Sequence, residues 1–495
     1  VTASADVHLP GRPRANTSVL VLVSLAVTVV IFNNTAVNVA LPAMAAELTL
    51  SDAAMRLVVV SYSVTFAALL LPAGYVCGRW GARRALVTGL WVASLGACAA
   101  WAVPTEIGVI AGRTLIGAGA AFVMPATLAV AVETSPPERR SRAIAVWTAV
   151  SVAGAAGGPV LGGALVDTFG WVSIFVAVTC SAAAVAVTVT VGVPPLAPQR
   201  TDGFAVFTTF LRILGTAPLL VALTVLSDLP VIALVCVVVS ASAWVTLAWR
   251  RRRRPHGGSA PAGWETRSFL GASVANMLMF FAVAGSLFVL TQLLQYAFGF
   301  SPFAAGLAVT PVTIAMIVGT ILSGPLASAW GVRAGAVGGL LVVASAALSI
   351  ALLPAAPVGV TIAAVTVAGT GVGVALPLVT ESMVASAPPS RVGDAAAVND
   401  TMQEIGFSAG VAVVGGALAL AYRFAGTGSG DAAAAGLVIV DARAAGDAVA
   451  LAEAVAEFRT ATQWAFSAAA LVVGIGAVVA FRLLPPRRTI NPSTT

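Results

Sequence analysis

The chain predicts an all-α polytopic membrane protein: two six-helix bundles plus two extra helices, fourteen transmembrane helices in all. Three observations carry this. Of its 495 residues 59% are hydrophobic and 9% charged, with a mean hydropathy of +0.99, whereas a soluble domain carries roughly 25% charged residues. Its apolar residues gather into runs of about 20, the length that crosses the hydrocarbon core of a bilayer. Its arginines gather in alternate connections between those runs.

The runs read 18–42, 55–76, 85–103, 107–132, 142–166, 172–195, 205–226, 229–249, 270–296, 303–325, 334–354, 358–385, 395–422 and 462–484. The 205–226 run carries Arg212 and reads equally well as a helix that begins in the interface. The first run follows a polar start and has no small-residue cleavage site, so it reads as an uncleaved span. With the N-terminus inside, one set of connections holds Arg79, Arg83, Arg84, Arg139, Arg140, Arg142, Arg200, Arg250 to Arg254, Arg267, Arg333 and Arg391. Arg487 and Arg488 follow in the tail. The other set holds Glu47, Asp52, Glu106, Asp167, Asp228 and the acidic stretch 431–457. This is the positive-inside pattern, and it places both termini in the cytoplasm.

The five arginines at 250–254, followed by Pro255, Gly257 and Gly258, mark the main internal boundary. Six runs precede the pair at 205–249 and six follow it. The expected organisation is a cytoplasmic N-terminus (1–17), a first six-helix bundle (18–195), two inserted helices (205–249) and a basic cytoplasmic linker (250–267). A second bundle (268–484) with an extracellular loop at 425–461 and a cytoplasmic tail (485–495) complete it. The Ala-rich loop reads as an amphipathic helix. Two bundles of this kind place a binding site between them at mid-membrane.

Several chemistries are not expected. The net charge of +7 comes from 26 arginines and no lysine, and on a membrane protein it orients loops and does not signal nucleic acid. Cys77, Cys98, Cys180 and Cys236 lack metal-ligand spacing and read as packing residues. His8 and His256 lie outside the spans, and no G-x-x-x-x-G-K-[ST] phosphate loop is present. No enzyme activity, cofactor or metal site follows from these residues, and a monomer is the expected unit.

Within the fifth run the chain reads SVAGAAGGPVLGG (151–163). Gly154 and Gly158 share a helix face and admit a second backbone, and Pro159 removes a hydrogen bond just after them, so a bend is expected there. Gly162 and Gly163 extend the strip.

Taken in order, these segments resemble the fourteen-span drug:proton antiporters (QacA/EmrB-like) of the major facilitator superfamily. The first span ends FNNTAVNVALP, similar to that family's L-D-x-T-x-x-N-x-A-L-P. GYVCGRWGARRAL follows the second span and resembles the superfamily's G-x-L-A-D-R-x-G-R-R loop through Gly74, Arg79, Gly81, Arg83 and Arg84. The fourth span holds AGRTLIGAGAAFVMPATL, with Arg113 at the intramembrane arginine position, and GPVLGG is similar to the antiporter motif. QLLQYAFGFSPFAAGLAVTP and VGDAAAVNDTMQEIGFSAGVAV continue the likeness across nearly the whole chain. Two positions depart from the pattern: Asn33 stands for the first-span acid and Gly78 for the acid of the following loop. By resemblance the first acid serves proton coupling or recognition of cations, and the second biases the resting state. Asn33 cannot carry a proton.

Ionisable side chains in the hydrocarbon region are functional candidates by default. Arg113, about 9 Å into its span, is placed to hydrogen-bond Asn33, Asn34 or Asn38 and organise a cavity. Glu404, about 13 Å into the thirteenth span, sits where burial penalises the charged form, as a reversible proton carrier requires. Asp400 lies one turn away on the same face and suits a relay; Glu381, near the inner end of the twelfth span, is the third candidate acid. Asn399, Gln403, Gly406 and Gly410 form a neighbouring strip of polar and small residues. For the cargo, Asn276, Met277, Phe280 and Phe281 offer a mixed polar and aromatic surface, with Gln292 and Gln295 near the outer end of the same span.

These residues and the resemblance imply proton-coupled efflux of a lipophilic small molecule, a drug or antibiotic, by alternating access in a bacterial-type plasma membrane. The cargo, protons and the lipid bilayer are the expected partners. Loss of the first-span acid favours a neutral or anionic cargo. Two other readings fit the same fold: an uncoupled transporter of lipids or metabolites, and a non-transporting membrane sensor or scaffold.

Overall fold

The computed structural model describes residues 17–196, 206–226, 229–253, 267–353, 356–386, 392–425 and 432–484. The predicted N-terminal segment up to residue 16, the linker arginine Arg254, Arg200, Asp228, Arg391 and the tail from 485 lie outside the described residues. With no water in a bilayer core, each backbone N–H and C=O must be bonded within the protein, and helices do this with their own residues.

The first six helices are α1 (Thr17–Leu48), α2 (Asp52–Trp80), α3 (Ala82–Ala102), α4 (Glu106–Glu133), α5 (Arg140–Phe169) and α6 (Val172–Gly192). Two more follow, α7 (Val206–Val225) and α8 (Pro230–Arg253). Then come α9 (Arg267–Gln292), α10 (Pro302–Trp330), α11 (Val332–Leu352), α12 (Val358–Ala385) and α13 (Val392–Ala425). The last are α14 (Ala432–Ala445) and α15 (Ala448–Leu483). A 3-10 turn covers Pro137–Arg139, and a π-helical turn, Leu293–Ala297, continues α9. Among the described residues thirteen helices are long and apolar enough to cross a membrane, and α7 contributes a shorter apolar run, Ile213–Val225.

The helices repeat. α1, α2 and α3 start at Thr17, Asp52 and Ala82, and α9, α10 and α11 start 250 residues later in each case. The local chemistry repeats with them. Ser51 caps α2 by accepting from the Ala54 N–H, and Ser301 caps α10 by accepting from the Ala304 N–H. Gly81 and Gly331 each join two helices with a positive φ, 90° and 87°, a conformation only glycine adopts cheaply. Packing follows the same rule: α1 on α5, α2 on α4 and α3 on α4 and α6 are mirrored by α9 on α13, α10 on α12 and α11 on α12 and α15. Between the halves, α5 packs on α10 and α2 on α13.

Small residues make these approaches possible. A Cβ at Gly89 would lie 2.7 Å from the Gly119 carbonyl oxygen, and one at Gly371 would lie 2.6 Å from that of Gly339. Lipid gives helices no hydrophobic reason to associate, so close packing of this kind supplies the adhesion.

One expectation needs correction. The segment 425–461 is not one amphipathic helix beside a last span starting at 462. It holds α14 and the first turns of α15, broken where Gly446 turns with φ 72° and Asp447 caps α15 by accepting from the Val449 and Ala450 N–H groups. Ile439 of α14 is fully buried, so this segment docks on the helices beneath it. Helix α7 packs on both α2 and α13, across the seam between the two halves, and α8 packs on α7.

On α13, a Cβ at Gly410 would collide with the carbonyl oxygen of Phe281, whereas one at Gly474 of α15 would meet nothing within 4 Å. Gly410→Ala is therefore expected to cost about 1–3 kcal/mol through overpacking. The check is the Tm of the purified protein: a clear fall for Gly410→Ala, and none for Gly474→Ala.

Candidate functional site

A guanidinium without contact to water must find acceptors inside the protein. Arg113 of α4 is fully buried. Its Nη1 donates to Asn33 Oδ1 of α1 at 2.6 Å, its Nε to the Val58 carbonyl at 2.9 Å and its Nη2 to the Val59 carbonyl of α2 at 3.4 Å. The same group lies 4.6 Å over the ring of Tyr62, which in turn stacks on Phe66. One arginine thus ties three helices of the first half, and Asn33 acts as its acceptor. Asn34 and Asn38 project from other faces of α1: Asn38 Nδ2 donates to the Asn34 carbonyl, and Asn34 Oδ1 is enclosed without a partner.

Glu404 comes from the other half. It lies on α13 within electrostatic reach of Arg113, Tyr62 and Asp400 and beside Ser63 of α2. Its Oε2 is enclosed with no hydrogen-bond partner, and so are Ser408 Oγ and Asn33 Nδ2, while the Ser63 hydroxyl stands next to the carboxylate. Asp400, Glu404 and Ser408 share one face of α13 at four-residue spacing. An orphaned buried oxygen or hydroxyl forgoes its hydration, and this group of them, at the α2/α13 seam, marks the place where the interior is prepared for polar chemistry. Sequence reasoning missed Ser63, Ser408 and Tyr62. The available signals were the i, i+4 step from Glu404 to Ser408 and the i, i+7 step from Arg56 to Ser63.

The other predicted residues go elsewhere. Asn276 is fully buried and donates through Nδ2 to the carbonyl and Oδ1 of Asn399, which also accepts from Thr380 Oγ1. Asn399 Nδ2 donates to Asp400 Oδ1. Gly406 and Gly410 bring α13 onto the carbonyls of Met277 and Phe281, so that strip is a helix contact. Phe281 is buried, while Met277, Phe280 and Gln403 are half-buried. Gln292 donates to the Phe288 carbonyl one turn back, and Gln295 to the Val39 carbonyl of α1. Glu381 is exposed near the end of α12, apart from the Glu404 group.

The glycine strip of α5 divides its work. Gly154, Gly158 and Gly162 face Thr28, Thr35 and Ala36 of α1, while Gly163 meets Pro302 and Phe303 of α10, and the Pro159 carbonyl meets Gly306. Helix α5 runs unbroken through Pro159. At the same end Asp167 Oδ2 accepts from Ser301 Oγ at 2.7 Å and from the Phe303 N–H at 3.1 Å, capping the N-terminus of α10 from the opposite half. Arg56 of α2, itself buried, donates to the Gly415 carbonyl of α13 and the Thr224 carbonyl of α7. The halves are therefore closed together on the face that carries the α1–α2, α5–α6 and α9–α10 turns. Toward the opposite face α5 and α10 expose consecutive residues, 144–146 and 320–322, which cover more than one side of each helix.

The Gly74–Arg84 segment braces that opposite face. Gly74 fronts open space, and Arg83 donates to the Thr190 carbonyl of α6. Arg79 donates to Tyr75 Oη, and Arg84 is exposed.

Residues 23–411 and, overlapping them, 272–495 match the family model described as Major Facilitator Superfamily. The chain is 32% identical over 419 residues to the multidrug efflux pump LfrA of Mycolicibacterium smegmatis, covering 82% of this chain and 81% of the relative. It is 30% identical over 391 residues to the methylenomycin A resistance protein of Streptomyces coelicolor, covering 77% and 81%. Among solved structures, a bacterial homologue of the human lysosomal transporter Spinster, inward-facing and unoccupied, superposes with a TM-score of 0.68 at 15% identity, covering 96% and 98%. That likeness concerns the fold.

Asn33→Leu removes the acceptor of a buried charge and is expected to cost about 1–3 kcal/mol, read as a lowered Tm. Asn33→Asp keeps an acceptor at that place and is expected to hold the wild-type Tm or exceed it.

Proposed function

The chain belongs to the Major Facilitator Superfamily and is a transporter rather than an enzyme, and from that premise we propose that it is a fourteen-span, proton-coupled exporter of a lipophilic small molecule. Both termini would be cytoplasmic in a bacterial-type plasma membrane, and the closed face would be extracellular. The resistance names of its relatives support an antibiotic or other drug as cargo. The observation that carries the reading is the enclosed, unpartnered Oε2 of Glu404 within electrostatic reach of Arg113.

The chemistry is a switch in attraction across the seam. Ionised, Glu404 attracts the Arg113 guanidinium and draws α13 toward α4. Protonated, it loses that attraction, and the halves part more easily. An attraction present in one protonation state and absent in the other shifts a two-state equilibrium by its differential energy. Outward opening would break the Asp167 cap on α10 and the Arg56 bond to α13, admit a proton to Glu404 and release cargo. Closure would return the proton to the cytoplasm, with Asp400 as the next acceptor. Cargo enters from the cytoplasmic side between α5 and α10. Arg113 supplies positive potential and Asn33 no charge, so a neutral or anionic lipophile fits better than a cation.

Two measurements test this. Glu404→Gln is expected to abolish ligand-driven proton release from energised inside-out vesicles while leaving ligand binding measurable. Release unchanged in that variant would end the coupling assignment, and transport that survives collapse of the pH gradient would favour an uncoupled carrier. Asp167→Ala removes a carboxylate cap worth about 1 kcal/mol, so the outward-open population, measured by spin-label distances across the closed face, should rise about fivefold.

A further inference from the structure

The repeat of 250 residues extends to the face opposite the closed one. Trp80, Gly81 and Arg83 at the α2–α3 turn recur as Trp330, Gly331 and Arg333 at the α10–α11 turn, with the same spacing inside each set. Both glycines have a positive φ, so the backbone turns alike in the two places. Trp80 and Trp330 are 50% and 65% exposed. An indole has an apolar body and a polar N–H, and it gathers at the level where hydrocarbon meets headgroups.

Each arginine leans on the last helix of its own half, α6 beside α3 and α15 beside α11. Arg83 Nη2 donates to the Thr190 carbonyl, between the exposed Val187 and Val191 of α6. The Arg333 guanidinium lies 3.6 Å over the ring of Phe481 of α15, itself an exposed residue. Both arginines are half-buried, at the apolar rim of the molecule and not in its interior. A guanidinium carries five N–H donors. Among the described residues the protein gives Arg83 one acceptor and Arg333 none, and it sets no carboxylate against either. The buried Arg113, by contrast, has three acceptors. Two under-bonded cations on exposed apolar helix ends, each three residues after an exposed indole, call for an acceptor that comes from the bilayer.

We propose that these turns form a pseudo-symmetric pair of binding sites for an anionic phospholipid, its phosphate on Arg83 in one half and on Arg333 in the other. Trp80 and Trp330 mark the boundary between that headgroup and its acyl chains. A lipid fits better than free phosphate because the arginines rest on exposed apolar ends of α6 and α15. An anionic headgroup fits better than a zwitterionic one, whose ammonium would need an acid of its own: residues 74–86 and 324–336 hold none. With the orientation proposed above, both sites face the cytoplasmic leaflet. Their occupancy does not depend on the proposed proton coupling.

The test titrates the full chain in detergent micelles with phosphatidylglycerol or phosphatidylcholine of the same acyl chains and counts the retained lipids by native mass spectrometry. Two phosphatidylglycerols are expected to bind about fivefold more tightly than phosphatidylcholine. Arg83→Gln and Arg333→Gln should each remove one of the two, and the double variant both. Arg140→Gln, the same change of charge on the same face, should remove neither. A second measurement needs no variant: a phosphatidylglycerol with a diazirine close to its headgroup, cross-linked to the unaltered chain in nanodiscs and mapped by peptide mass spectrometry. Label is expected on residues 187–192 and 478–483. Equal retention of the two lipids would overturn the proposal, as would a loss with Arg140→Gln as large as that with Arg83→Gln or Arg333→Gln. So would label spread evenly to exposed positions near the closed face, such as Ile107 and Trp464, or displacement by inorganic phosphate as effective as by the lipid.

Discussion

The buried guanidinium of Arg113 is the constraint to which the first half of the molecule is fitted. A charge without water must be surrounded by acceptors, and here they are one amide oxygen on α1 and two carbonyls on α2. Those carbonyls belong to residues 58 and 59, which fixes the depth at which α2 meets α4. Tyr62 follows one turn on and places its ring beneath the guanidinium. Ser63, next to Tyr62 and one turn after Val59, lies beside Glu404 of α13. The position of the polar seam is thus a consequence of satisfying one arginine.

Around that centre the fold is held by closeness more than by apolar burial. Lipid tails are as apolar as leucine, so helices adhere where backbones touch. The glycines do this in both halves at corresponding places, and α5 and α13 each use them on the neighbour within their own half. At the seam between halves, polar bonds join the close approach of α5 and α10 at Gly163 and Gly306: a carboxylate capping a helix, an arginine on two carbonyls, an amide on a carbonyl. Such bonds can be exchanged for water at modest cost, whereas packed glycine seams cannot. The polar bonds at the seam are the ones that the proposed rocking motion would exchange.

Helix α7 adds a feature that a twelve-helix arrangement would lack. Lying on both α2 and α13, it covers the seam from the lipid side and shares Arg56 with it. In the proposed motion, any change in the distance between α2 and α13 would have to be accommodated by α7.

Much of this was written in the chain. Run length and composition determine the membrane spans, because hydrocarbon thickness admits little else, and α12 begins and ends at the residues read from the sequence. The partnership of Arg113 with the first-span asparagines follows from the cost of a buried charge. It took the tertiary structure to choose Asn33 over Asn34 and Asn38, since that choice rests on helix rotation, which periodicity cannot fix when every face is apolar. The same holds for Asn276, whose polarity signalled a site but whose amide is consumed by Asn399, and for Glu381, which the end of its helix leaves exposed. Ser63 and Ser408 are silent in a sequence because a hydroxyl on a membrane helix usually bonds its own backbone; here one stands beside Glu404 and the other is enclosed without a partner. The break at Gly446 and Asp447 was legible as local chemistry, yet the docking of α14 was not. Long-range partners depend on how two halves meet, and that is decided by shape in three dimensions, not by order along the chain.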